Sequence, residues 1–106
     1  MGLLTRDLIR KIPKLYQTEG TPLREKLAIV KLFHPASNWT WYIIEYDGED
    51  TCWGLVEGHE VEFGYFSLSE INQPLGPYQL AVERDKWFQP TEVQDLPLYD
   101  IERVAA

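Results

Sequence analysis

A chain of 106 residues suits one domain, and residues 1–106 are read as one. Its 44% apolar and 13% aromatic content is enough for a core built largely of rings, while no run of about 18 apolar residues exists to make a transmembrane helix. The net charge of −7 is split into +4 over residues 1–31 and −11 beyond, with no Lys or Arg between Lys31 and Arg84; such a surface repels phosphate backbones, whose binding rests on Lys and Arg.

The start MGLLTRDLIRK lacks the apolar run and small-residue cleavage site of a signal peptide. Arg6 stands where a myristoylation signal needs Ser or Thr. The single cysteine, Cys52, has no internal partner, so the expected setting is reducing and cytoplasmic.

Thr5 caps a predicted helix over 6–12, with Leu4, Leu8 and Ile12 on one stripe and Pro13 ending it. Arg6, Arg10 and Lys14 form a basic row at the same spacing. LYQTEGTP (15–22) reads as a loop, punctuated by Gly20 and Pro22. LAIVKLFH (27–34) is a predicted strand that stops at Pro35. WTWYIIEY (39–46) and TCWGLVE (51–57) form a hairpin around Asp47-Gly48. VEFGYF (61–66) is a fourth strand, with Val61, Phe63 and Tyr65 alternating with Glu60, Glu62 and Gly64. Ser67 to Glu70 is a capping-box pattern and predicts a short helix. NQPLGP (72–77) is turn chemistry, and YQLAVER (78–84) is a fifth strand. Thr91 to Gln94 is a second capping-box pattern, and the tail LYDIERVAA (98–106) reads as a last helical turn or a frayed end. The expected fold is α+β: a mostly antiparallel meander of four to five strands, an N-terminal helix on one face, and short helical segments after strand four and near the C-terminus.

Two hairpin registers are open. A two-residue turn sets Tyr42 opposite Trp53, Trp41 over Gly54, and Glu45 against Asp50, a like-charge clash. A four-residue turn, Asp47 to Asp50, sets Glu45 opposite Cys52 and removes it. In both, Trp39, Trp41 and Ile43 share one face and Tyr42, Ile44 and Tyr46 the other. The helix buries one aromatic face. The other is either covered by the C-terminal segment or exposed as a binding patch.

Glu45, Asp47, Glu49 and Asp50 lack the EF-hand spacing and read as a polar turn tip. His34, His59 and one cysteine do not make a zinc pattern, and Cys52 reads as a small buried residue. Phosphate-binding glycine loops and a GxSxG elbow are absent. Arg84 either closes an internal ion pair with a central acid or anchors a partner.

LYQTEG (15–20), FHPASNWTWYIIEYDGEDTCWGLVEGHEVEFGYFSLSEI (33–71) and VERDKWFQP (82–90) together resemble a family of short bacterial proteins known as a domain of unknown function, series number 2958. The resemblance covers about residues 3–92 and leaves a tail from Val93 onward. It implies a plasmid or other mobile-element setting and brings no established activity. Cys52 and Trp53 stand where members more often show two aromatics, which argues against a role for the thiol.

The expected function is a small acidic, non-enzymatic interaction protein without a cofactor or metal. It would engage a basic protein partner, nucleic-acid-handling or host-defence, through Trp39, Trp41, Tyr46, Asp47, Glu49 and Asp50, with Arg84 as a further candidate. One alternative is a single-stranded nucleic-acid or nucleotide binder, stacking bases on Trp39, Trp41 or Trp53 beside the N-terminal basic row. Another is a small metal-dependent hydrolase using the central acids and His59.

Overall fold

A computed structural model describes residues 2–97. In chain order the elements are α1 (Arg6–Lys11), β1 (Leu27–Ala28), β2 (Val30–Phe33), β3 (Thr40–Tyr46), β4 (Thr51–Glu57), β5 (Val61–Ser67), α2 (Leu68–Ile71), β6 (Glu83–Arg84) and β7 (Thr91–Glu92). Single 3-10 turns lie at Leu23–Glu25 and Val93–Asp95. One antiparallel sheet has the order β5-β4-β3-β2-β6, and β1 pairs with β7 in a second, two-stranded sheet. The architecture is α+β.

Local chemistry explains the short helices. The Thr5 hydroxyl accepts the Leu8 N–H at 3.2 Å and caps α1. Ile12 precedes Pro13 and turns extended (ψ 124°), because a following proline disfavours helical backbone. At α2 the Ser67 hydroxyl accepts the Glu70 N–H at 3.2 Å, as the first capping-box pattern predicts.

Strands β2 to β5 form the expected meander. The fifth predicted strand survives only as β6, which joins the opposite edge beside β2. Residues 75–80 form a turn instead: Leu75 and Leu80 exchange backbone hydrogen bonds of 2.8 and 2.9 Å, and Gly76 and Gln79 take positive φ. Left-handed residues cannot continue a ladder. The second capping-box pattern also fails as a helix start. Thr91 pairs with Ala28 in the small sheet, and its hydroxyl donates to the Gln89 carbonyl at 2.6 Å. The predicted tail at 98–106 lies outside the described residues.

Both sheet faces are covered. On one, Trp41, Ile43, Tyr46 and Cys52 pack with Ile12, and Leu4 and Leu8 of the helix side close over them. On the other, Tyr42, Ile44 and Leu55 pack with Ala28, Val93 and Leu96, and Phe88 lies 5.8 Å from the Tyr42 ring. The C-terminal segment therefore seals the second aromatic face, and Tyr42 retains only 3% exposure.

Neither expected register describes the whole hairpin. From Ile43 outward the four-residue register holds, with Ile43 opposite Gly54 and Tyr42 opposite Leu55. Toward the tip, a bulge between Ile43 and Glu45 shifts the pairing to Glu45–Trp53 and Tyr46–Cys52. The extra residue reverses the alternation. Tyr46 joins Trp41 and Ile43 on the helix side, and Glu45 takes the place on the other face that strict alternation assigns to Tyr46. Gly54 makes the bulge possible: a Cβ there would sit 1.8 Å from the Tyr42 carbonyl oxygen.

Candidate functional site

The seven residues expected to bind a partner do not form one surface. Trp39 and Asp47 bracket β3, roughly 25 Å apart at about 3.3 Å per strand residue. Trp41 and Tyr46 are buried at 7% exposure each, so neither offers contact area. Trp39 is half-buried, stacked on Trp41 at 5.9 Å and edge-on to His59 at 5.4 Å. It covers Gly58, where a Cβ would meet its ring at 2.4 Å. The aromatic cover over a bare backbone is thus Trp39 over Gly58, displaced from the expected Trp41 over Gly54.

At the tip, two of three carboxylates hold the turn together. One Asp47 oxygen accepts the backbone N–H groups of Glu49, Asp50 and Thr51 at 2.7, 2.8 and 3.1 Å. Asp50 accepts the Ser67 hydroxyl, the Ser69 N–H and the Ser69 hydroxyl, the last two at 2.8 Å, and so ties the tip to the β5–α2 junction. These donors lower both pKa values: the Glu49 N–H chiefly for Asp47, the Ser67 hydroxyl chiefly for Asp50. Glu49 is exposed. Arg84 donates to the Leu3 carbonyl at 2.5 Å and pins the N-terminus to the sheet edge, in place of the expected ion pair with a central acid. The other candidates are also structural in their surroundings. Cys52 is fully buried, and burial, with Asp47 and Asp50 adding, pushes its thiol up to about 12. His34 is buried and accepts the Ala36 N–H at 3.0 Å. Among the described residues, no three of His, Cys, Asp and Glu gather as a metal-binding group.

The structure instead assembles a groove that the sequence reading did not single out. The bulge sets Glu45, Trp53 and Tyr65 in one row across β3, β4 and β5. The loop between α1 and β1 closes over this row. Tyr16 has φ of +70°, and its N–H donates to Glu45 Oε1 at 2.8 Å; the Thr18 N–H donates to Oε2 at 3.1 Å, and the Thr18 hydroxyl donates to the same oxygen. Glu45, 5% exposed, therefore holds the loop down by three hydrogen bonds. Lys26, 6% exposed, donates to the Thr18 carbonyl and, at 2.9 Å, to the Thr18 hydroxyl; its ammonium lies 5.5 Å from the centre of the Trp53 ring. The buried acid and the buried base thus connect through Thr18, which keeps each charge hydrogen-bonded.

What remains open above them is a cavity of about 440 Å³, walled by Tyr16, Trp53, Tyr65 and Leu23 and edged by Glu19. Tyr16 and Tyr65 form its rim at 60% and 56% exposure. The Tyr16 hydroxyl beside it raises the Tyr65 pKa first, and Glu45 and Glu19 add to the rise. The groove is aromatic, and Glu19 and Glu45 against Lys26 in its lining leave it locally negative. Gly54 was the available sign of it, since an isolated glycine inside a strand pattern marks a bulge. The tyrosine of LYQTEG gave no such sign, because nothing in its own segment says which carboxylate it meets.

No curated protein and no solved structure matches this chain. Residues 3–99 match the profile of the family described as "Protein of unknown function (DUF2958)", a match that runs past the expected limit at 92 and takes in Val93 and Leu96, so the chain belongs to that family.

Proposed function

We propose that this chain is a small, non-enzymatic interaction domain whose acidic half engages a basic protein partner. The observation that carries the reading is the placement of the base-free stretch. Everything between Lys31 and Arg84 lacks Lys and Arg, and that stretch supplies β3, β4 and β5, with β5 at an edge of the sheet formed by the described residues. Glu49, Glu60 and Glu62 are exposed along it. Glu49 lies at one end of β4 and Glu60 and Glu62 at the other, so the negative charge is spread along the sheet, and such a field raises on-rates for a basic partner. A strand edge with free backbone groups can also pair with an extended segment. The contact residues differ from those the sequence suggested: Trp41 and Tyr46 are core, and Asp47 and Asp50 contribute charge while serving the turn. A mobile-element setting, implied by the family resemblance, suits a cytoplasmic protein that occupies the basic groove of a nucleic-acid-handling or host-defence protein.

The base-stacking alternative has fewer free rings to use. Trp39 and Trp41 stack on each other, and Trp53 lies against Phe63 at 5.3 Å with planes 13° apart. Trp87, at 90% exposure, is the open indole among the described residues, and it follows Asp85 and Lys86.

Capture from host lysate, with the retained protein identified, tests the proposal. The expected partner is basic, is released as salt rises, and is lost when Glu49, Glu60 and Glu62 are all changed to Gln. Retention that ignores salt and survives the triple change sinks it.

A further inference from the structure

Resting on that reading, we propose that the Tyr16–Trp53–Tyr65 groove receives one arginine or lysine side chain of the partner, carried on a segment laid along β5, an edge strand among the described residues. Three properties of the groove support this.

The first is shape and position. The cavity of about 440 Å³ is lined by Tyr16 and Tyr65, both exposed. Tyr65 belongs to β5, the edge strand, so a chain pairing with that edge passes beside the mouth. An extended segment presents alternate side chains to one face, and a single long side chain can reach in while its neighbours stay outside.

The second is charge. Glu19, Glu45 and Lys26 are the charged residues lining the groove, which leaves it one negative charge in excess. Lys26 already directs hydrogen bonds to the Thr18 carbonyl and hydroxyl. Its ammonium is engaged, and the Glu19 carboxylate at the exposed edge has no hydrogen-bond partner among the described residues. An anionic ligand would meet two carboxylates. A cationic one meets the surplus.

The third is the wall chemistry. Aromatic faces attract cations through the ring quadrupole, and Arg adds planar stacking. The 5.5 Å placement of Lys26 over Trp53 is an internal instance of that contact within the same cavity. A partner guanidinium lying against Tyr16 and Tyr65 and reaching Glu19 repeats it at the rim.

The test uses the full chain and three synthetic peptides that differ at one central position: Ac-Thr-Val-Arg-Val-Thr-NH2 and its Lys and citrulline counterparts. Binding is read by Trp fluorescence and by amide shifts of β5 and of residues 16–19. The Arg peptide is expected to bind at least about 10-fold tighter than the citrulline peptide, which keeps the shape and loses the charge, with the Lys peptide between them. Glu19→Gln and Tyr65→Leu, both at exposed positions, are each expected to weaken the Arg peptide about 5-fold or more without changing Tm. Equal binding of the Arg and citrulline peptides overturns the inference, as does Arg-peptide binding untouched by both substitutions or no binding by any peptide. The wider reading fails separately. Salt-sensitive capture of a basic protein that depends on Glu49, Glu60 and Glu62 but is indifferent to Glu19 and Tyr65 leaves the acidic face in place and removes the groove.

Discussion

On the helix side of the sheet, Trp41, Ile43, Tyr46 and Cys52 pack under Leu4, Leu8 and Ile12, and the layer is apolar from end to end. The opposite side divides in two. Around Tyr42, Ile44 and Leu55 it is equally dry, sealed by Phe88, Val93 and Leu96. Nearer the hairpin tip it carries Glu45, Lys26 and Thr18, roofed by the 15–20 loop, with a cavity lined by Tyr16 and Tyr65. One inserted residue in β3 produces the contrast. It sends Tyr46, which strict alternation would place on the second face, into the helix-side core and a carboxylate into its place. An aromatic at that position would have extended the dry layer. The carboxylate demands donors, and the loop supplies them from its backbone.

The contrast can be broken most severely at Gly54. In Gly54→Ala the new Cβ meets the Tyr42 carbonyl at 1.8 Å and the Ile44 nitrogen at 3.1 Å, so the bulge cannot persist. The expected loss exceeds about 4 kcal/mol in denaturant unfolding, well above most single substitutions. A variant within about 1 kcal/mol of the parent would show that the bulge is not what divides the two sides.

Glu45→Gln is gentler and more local. The amide group must face N–H and O–H donors that now point at a carboxylate, and Lys26 loses the negative charge behind Thr18. About 1.5–3 kcal/mol is expected, the range for hydrogen bonds to charged groups. Hydrogen exchange at the Tyr16 and Thr18 amides should speed up while the Trp41 and Ile43 amides stay slow. Equal acceleration on both sides of the sheet would contradict a loop-specific role.

The smallest effect is expected from Tyr42→Phe, and it appears only in alkali. Burial first, then the Glu57 and Asp85 charges, raises the Tyr42 pKa from 10.0 to about 12; burial raises Cys52 from 9.0 to about 12. Both groups hold their proton more tightly when folded. Their contribution is complete below pH 9 and is lost as pH rises toward 12. Stability should therefore decline over that window, and Tyr42→Phe should flatten the part above pH 10 while leaving neutral-pH stability within about 1 kcal/mol. An unchanged alkaline slope would mean that the dry half of the second face is wetter than its burial implies.

Much of the fold was legible because its signals are local. Thr5 and Pro13 bracket α1, Ser67 caps α2, and Asp47-Gly48 makes the turn, each through atoms within four residues of one another. The candidate site was far less legible. Tyr46 and Trp41 belong to the same aromatic run as the exposed rings one would look for, and only packing withdraws them. Glu45 read as one more acid of a polar tip, whereas its partners, Tyr16 and Thr18, lie 29 and 27 residues away. Thr91 had the pattern of a helix cap and became a strand because Ala28 was there to pair with it.

The sequence by itself determined the N-terminal helix, the short helix after β5, the central meander, the hairpin and the division of charge. These follow from side-chain periodicity, turn backbone preferences and simple counting, none of which needs a distant neighbour. Only the tertiary structure decided the bulge, the edge that β6 joins, the sealing of the second face by Val93 and Leu96, and the groove at Tyr16, Trp53 and Tyr65. Each of these depends on atoms far apart in sequence meeting at van der Waals or hydrogen-bond distance. The Gly54 α-carbon against the Tyr42 carbonyl is the contact on which the others near the groove rest.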